Sequence, residues 1–113
     1  MPELRSAYLA AYVRTPFGRA DPRRGAFRNV RSDDLAVVAL QGVLDRSGLD
    51  PGNVDGDILG AFEIMGEHAQ PGTAIPFLAG FPDLVVGLSI ERACTTAMKS
   101  VHVAVMQVHC GLG

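Results

Sequence analysis

The chain has 113 residues, of which 48 % are hydrophobic and 19 % charged, the size and composition of one small globular domain. A formal net charge of −2 and the absence of tryptophan argue against nucleic acid as a partner, since there is no global basic field and few aromatic faces for base stacking. No apolar run approaches the roughly 18 residues of a membrane span. The amino-terminal apolar stretch is also too short and wrongly flanked for a secretory leader, so a cytoplasmic protein is expected.

In chain order, residues 8–13 (Tyr-Leu-Ala-Ala-Tyr-Val) read as a short buried strand. Residues 14–31 form a loop broken by Pro16, Gly18, Pro22 and Gly25. This loop carries Arg14, Arg19, Arg23, Arg24, Arg28 and Arg31, either as a solvated surface or as a contact for a nucleotide phosphate or another subunit. Ser32 reads as an N-cap with Asp33 and Asp34 in the first turn. Residues 33–46 then form a helix with a wide apolar face, closed by Gly48, and Pro51 prevents continuation.

Residues 57–64 read as a second strand and residues 65–72 as a loop that holds His68. A short helix opens at Pro71 and reaches residue 79, with Gly80 ending it, although Pro76 removes an internal hydrogen bond. Residues 84–90, uncharged and rich in valine, form the strongest predicted strand. Residues 94–110, free of Gly and Pro, form a helix that Gly111 stops.

The order strand, helix, strand, helix, strand, helix predicts an α/β fold, with a parallel-rich sheet and helices on both faces. The last helix is apolar nearly all round (Met98, Val101, Val103, Val105, Met106 and Val108), so further polypeptide or a partner chain is expected over it.

The chemical focus is Cys94, at the first turn of a helix that follows a buried strand. Unpaired N–H groups at a helix start favour a negative sulfur, and Arg92 adds to this if its side chain turns inward. The carboxyl end of a parallel strand is also where open α/β sheets place their ligands. Such a cysteine is a candidate nucleophile, with neighbouring N–H groups for an oxyanion; the bland alternative is a small buried hydrophobe.

Cys110 lies 16 positions further on, about 24 Å along a helix, so both thiols are expected to be free, as suits a reducing compartment. His102 lies about 12 Å from Cys94 along the helix, too far for proton transfer. With His109 and Cys110 it lacks the spacing of zinc ligand pairs, and no metal is expected. There is no P-loop or dinucleotide fingerprint.

The segment I-E-R-A-C-T-T-A-M-K-S-V (residues 90–101) resembles the acyl-enzyme signature of thiolases, and Cys94 matches its nucleophile. Four further pieces resemble the same family in register: V-R-T-P-F-G at 13–18, R-S-D-D-L-A at 31–36, G-L-D-P with V-D at 48–55, and L-A-G-F-P at 78–82. The departures are Glu91 where the family often has Asn, Thr95-Thr96-Ala97 in place of smaller residues, and Gln-Pro-Gly-Thr at 70–73.

The resemblance implies the amino-terminal half of a layered α-β-α-β-α fold, with residues 1–113 a truncated domain. It implies acyl transfer through a cysteine thioester, in 3-ketoacyl-CoA cleavage or acetyl-CoA condensation. Coenzyme A and acyl-CoA thioesters would be substrates, with no bound cofactor. It also implies a homodimer or homotetramer, with residues 84–90 as a dimer-forming edge strand. The family's second half would supply histidines, a second cysteine and most coenzyme A contacts. The isolated chain is therefore expected to be inactive, and turnover by residues 1–113 alone would contradict this. The alternatives are a catalytically silent association module and a related condensing enzyme.

Overall fold

The computed structural model describes residues 3–64, 66 and 69–112. Three helices, α1 (Ser32–Ser47), α2 (Pro71–Leu78) and α3 (Thr96–Cys110), alternate with two strands, β1 (Gly56–Gly60) and β2 (Val86–Ile90). Short 3-10 turns at Pro51–Asn53 and Ala93–Thr95 precede β1 and α3.

The strands pair in parallel, Gly56 opposite Val86 through to Gly60 opposite Ile90, so their carboxyl ends lie side by side. A parallel pair needs a crossover, and α2 lies within it. Successive strand residues point to opposite faces. Gly87 and Ser89 face α2: the Ser89 hydroxyl accepts the Gly72 N–H at 3.0 Å, and the Gly72 carbonyl lies against Gly87. Gly60 faces the other way, toward Thr96 and Ser100 of α3. Helix α1 packs on α2. The layers are thus α1 and α2, the sheet, then α3, with helices on both faces as the alternation predicts.

Pro76 lies inside α2 because its neighbours absorb the disruption. A proline cannot donate to the carbonyl four residues back, here that of Gly72, which instead abuts the sheet at Gly87. The helix then closes at Gly80, whose φ of +84° suits glycine. The Phe81 N–H reaches the Pro76 carbonyl at 3.0 Å and the Gly80 N–H that of Phe77 at 3.1 Å, the double closure of a Schellman end. Phe81 is buried beyond it and, with Ile75 of α2, forms the buried apolar core of the described residues.

The predicted first strand is corrected. Residues 8–13 hold no regular element, and Tyr8, Leu9 and Tyr12 are exposed. Their backbone region is tied to helices rather than to a ladder. Arg46 Nη1 donates to the Tyr12 carbonyl at 2.9 Å, with its guanidinium 5.8 Å above the Tyr12 ring. The Arg5 N–H donates to the His109 carbonyl at 3.2 Å. Apolar composition permits a strand, but ladder partners create one.

The start of α1 is also corrected. Arg31, extended at φ −70° and ψ 148°, holds the cap position, and Ser32 is already helical. Arg31 Nη2 lies 2.7 Å from Asp33 Oδ2, and this side-chain hydrogen bond holds the Asp33 carboxyl below the usual range against its burial. Strand β1 stops at Gly60 rather than 64, β2 begins at Val86 rather than 84, and α3 begins at Thr96 rather than 94. His68 lies outside the described residues. The arginines of the loop are exposed, and Asp21 orders part of it: Asp21 Oδ1 accepts the N–H groups of Arg24 and Arg23 at 2.9 and 2.8 Å, and these bonds lower its pKa.

The apolar flank of α3 is open, with Met98 63 % and Val101 56 % exposed. The accessible surface is 8495 Å² for a chain of 11.9 kDa, whereas a folded monomer of that mass exposes about 5,900 Å².

Candidate active site

The carboxyl ends of β1 and β2 are joined past their ladder. The Ala61 N–H donates to the Ile90 carbonyl at 3.3 Å, and the Ile64 N–H to Glu91 Oε2 at 3.3 Å. Glu91, one of the departures noted above, therefore links the two segments that leave the sheet.

The chain then turns sharply into α3. Arg92 adopts φ −149° and ψ 50°, and Ala93 has a left-handed φ of +46°. For an L-residue with a Cβ this conformation costs roughly 1–2 kcal/mol, so the surroundings must hold it. The Arg92 N–H donates to Thr96 Oγ1 at 2.7 Å, and that hydroxyl donates to the Ala93 carbonyl at 2.7 Å. The Arg92 carbonyl accepts from the Thr95 N–H at 3.1 Å and from the Thr95 hydroxyl at 3.0 Å.

Cys94 rides on this turn as the middle residue of the Ala93–Thr95 3-10 segment, exposed, two positions ahead of the 15-residue α3. The bland alternative, a buried cysteine, is not what the fold contains. A strained strand-to-helix turn that presents its side chain to solvent is an arrangement found at nucleophiles. The helix start behind it favours negative charge. Arg92 is exposed and contributes to the turn through its backbone.

Cys110, the last residue of α3, is also a free, exposed thiol. His102 and His109 lie along α3 beyond the turn, as the sequence places them. Among the described residues no group of three or more His, Cys, Asp or Glu is arranged to hold a metal ion. No helix among them is long and apolar enough to cross a membrane.

Sequence reasoning passed over Ala93 and Gly60, and met Thr96 only as one of the bulkier residues that follow Cys94. Gly60 ends β1 where an added Cβ would run into Thr96 Cγ2 and lie 2.7 Å from Ser100 Oγ. A glycine inside a strand is the available signal for such close approach. Ala93 gives no signal, because alanine has no local reason to adopt a positive φ.

The family model described as the thiolase amino-terminal domain matches residues 7–112. The chain belongs to the thiolase family. Among relatives of this thiolase chain is a 3-ketoacyl-CoA thiolase of Saccharophagus degradans, 35 % identical over 111 residues, covering 96 % of this chain and 28 % of the relative. A beta-ketoadipyl-CoA thiolase of Pseudomonas aeruginosa is 33 % identical over 109 residues, 95 % of this chain and 26 % of its own length. The crystal structure of the Bacillus anthracis acetyl-CoA acetyltransferase superposes with a TM-score of 0.87 at 34 % identity, over 98 % of this chain and 27 % of that one. This thiolase chain thus spans little more than a quarter of these relatives, and its α/β layering is theirs.

Proposed function

We propose that this chain contributes the nucleophile, Cys94, to an acyl-CoA C-acyltransferase of the thiolase type. In the cleavage direction the Cys94 sulfur, as thiolate, attacks the keto carbon of a 3-ketoacyl-CoA. The bond between carbons 2 and 3 breaks, and its electron pair takes a proton to leave as acetyl-CoA. The acyl group stays on sulfur until the thiol of coenzyme A attacks, loses its proton and carries the acyl group away, restoring the thiolate. Covalent storage divides one difficult transfer into two easier ones. Coenzyme A and acyl-CoA enter as substrates, and no resident cofactor is required.

The observation that carries this reading is the exposed Cys94 on a left-handed turn at the end of a parallel strand, within a segment matched to the thiolase domain. Cys94→Ser in the full-length protein is expected to lower kcat by at least about 10³-fold. Near-normal turnover by that variant would remove the assignment.

Association through β2 belongs to the same proposal. Among the described residues β2 pairs only with β1, and Val86 is 72 % exposed. An uncovered apolar edge of this kind invites another strand, and a second copy of the chain fits a homodimer. Val86→Lys is expected to weaken self-association of the full-length protein by about tenfold or more in Kd, read by sedimentation. An unchanged dimer would place the contact elsewhere.

A further inference from the structure

We infer that Thr96 is a positioning residue for Cys94, acting through the backbone of Arg92 and Ala93; the inference rests on the reading of Cys94 as the nucleophile. Thr96 is 5 % exposed, although it is polar and adjoins an exposed turn. Its hydroxyl both accepts the Arg92 N–H and donates to the Ala93 carbonyl, each at 2.7 Å. These two bonds span the residue with positive φ. They fix the peptide plane that enters Arg92 and the one that leaves Ala93, and so the direction in which the next residue, Cys94, leaves the backbone.

The hydroxyl is itself fixed from behind. Thr96 Cγ2 is seated against Gly60 at the end of β1, where there is no room for a β-carbon. The Thr96 carbonyl accepts the Ser100 hydroxyl at 3.2 Å. The path from sheet to sulfur is therefore Gly60, Thr96, Arg92 and Ala93, then Cys94. The bulkier Thr-Thr pair noted in the sequence does not merely crowd the turn. Thr95 closes the Arg92 carbonyl from outside, and Thr96 closes the turn from inside.

An ordinary helix-start threonine would affect stability alone, so the test reads position as well. In the full-length protein, Thr96→Val keeps the shape and removes the hydroxyl, whereas Thr96→Ser keeps the hydroxyl. Thr96→Val is expected to lower kcat about 10–100-fold with KM within about threefold, the size of effect produced by small misplacements of a reacting group. Thr96→Ser is expected to stay within about threefold of wild type. Alkylation by iodoacetamide gives a second readout that needs no acyl chemistry, with Cys110 as internal reference. The Cys94-to-Cys110 rate ratio is expected to fall about tenfold in Thr96→Val and to return in Thr96→Ser.

Should Thr96→Val fail to fold, amide exchange of the wild-type protein decides: the Arg92 N–H is expected to be as protected as that of Thr95. An unchanged kcat and alkylation ratio in Thr96→Val, or a freely exchanging Arg92 amide, would overturn the inference. Loss of the alkylation effect counts against Thr96, whereas full turnover by Cys94→Ser counts against the nucleophile, so the two failures are distinct.

Discussion

Ala93 gains nothing from its own side chain by adopting a φ of +46°, so its conformation is an imposed one, and the imposing groups are its neighbours Thr95 and Thr96. Cys94 stood out in the sequence through its place between an apolar strand and a helix and, more strongly, through the resemblance of residues 90–101 to the thiolase signature; its exposure is what the structure adds. The inward turn of Thr96 was not legible, since it depends on the space left by Gly60, 36 positions earlier.

Asp57 is the other residue set apart by its surroundings. It lies on β1 on the face of Gly87, and its Oδ2 is buried without a hydrogen-bond partner among the described residues. Burial pushes its pKa up from 3.8 to about 6. A carboxyl raised in the folded state binds a proton there that the unfolded chain has already lost. Stability therefore falls as pH rises from about 4 through about 6 and stays reduced above. Partial exposure screens the effect to about 1 kcal/mol. Asp57→Asn is expected to flatten this part of the pH–stability curve and to be the more stable form at pH 7. A curve that keeps the wild-type slope between pH 4 and 6 would show that Asp57 is not its source.

At the scale of elements, the contact between α2 and β2 depends on two glycines and a proline. Pro76 frees the Gly72 carbonyl, and that carbonyl fits only because Gly87 has no side chain. Gly87→Ala is expected to cost about 2–3 kcal/mol in urea unfolding. Gly42→Ala on α1, where a new Cβ stays 3.8 Å from the nearest neighbour, is expected to be neutral or stabilising by up to about 1 kcal/mol. Equal effects at the two sites would deny the close packing.

Much of this level was legible, because helix ends follow local chemistry: Gly48, Gly80 and Gly111 each close a helix where the sequence placed them. Residues 8–13 were misread because strand formation is decided by partners. Here Arg46 takes the Tyr12 carbonyl, and just upstream the end of α3 takes the Arg5 N–H. The off-by-one start of α1 arises because Arg31, read as loop, anchors Asp33 from the cap position.

At the scale of the molecule, the described fold carries the exposed Cys94 on a small core. Its radius of gyration is 15.0 Å, against about 13 Å for a compact domain of this length. The excess surface includes the flank of α3 behind Cys94 and the edge of β2. A thioester and a coenzyme A moiety need walls that exclude water, and the α/β layers described here present Cys94 on an open face. The turn and its bracing by Thr95 and Thr96 are features of this chain.

The measurement that bears most directly on the central claim is location of the acyl group. The full-length protein would be mixed with acetyl-CoA, quenched in acid, digested and analysed by mass spectrometry. An acetyl group on the peptide that holds Cys94, absent from Cys110 and from Cys94→Ser, is the predicted result. An acetylated protein with Cys94 unmodified, or the same labelling in Cys94→Ser, would contradict it.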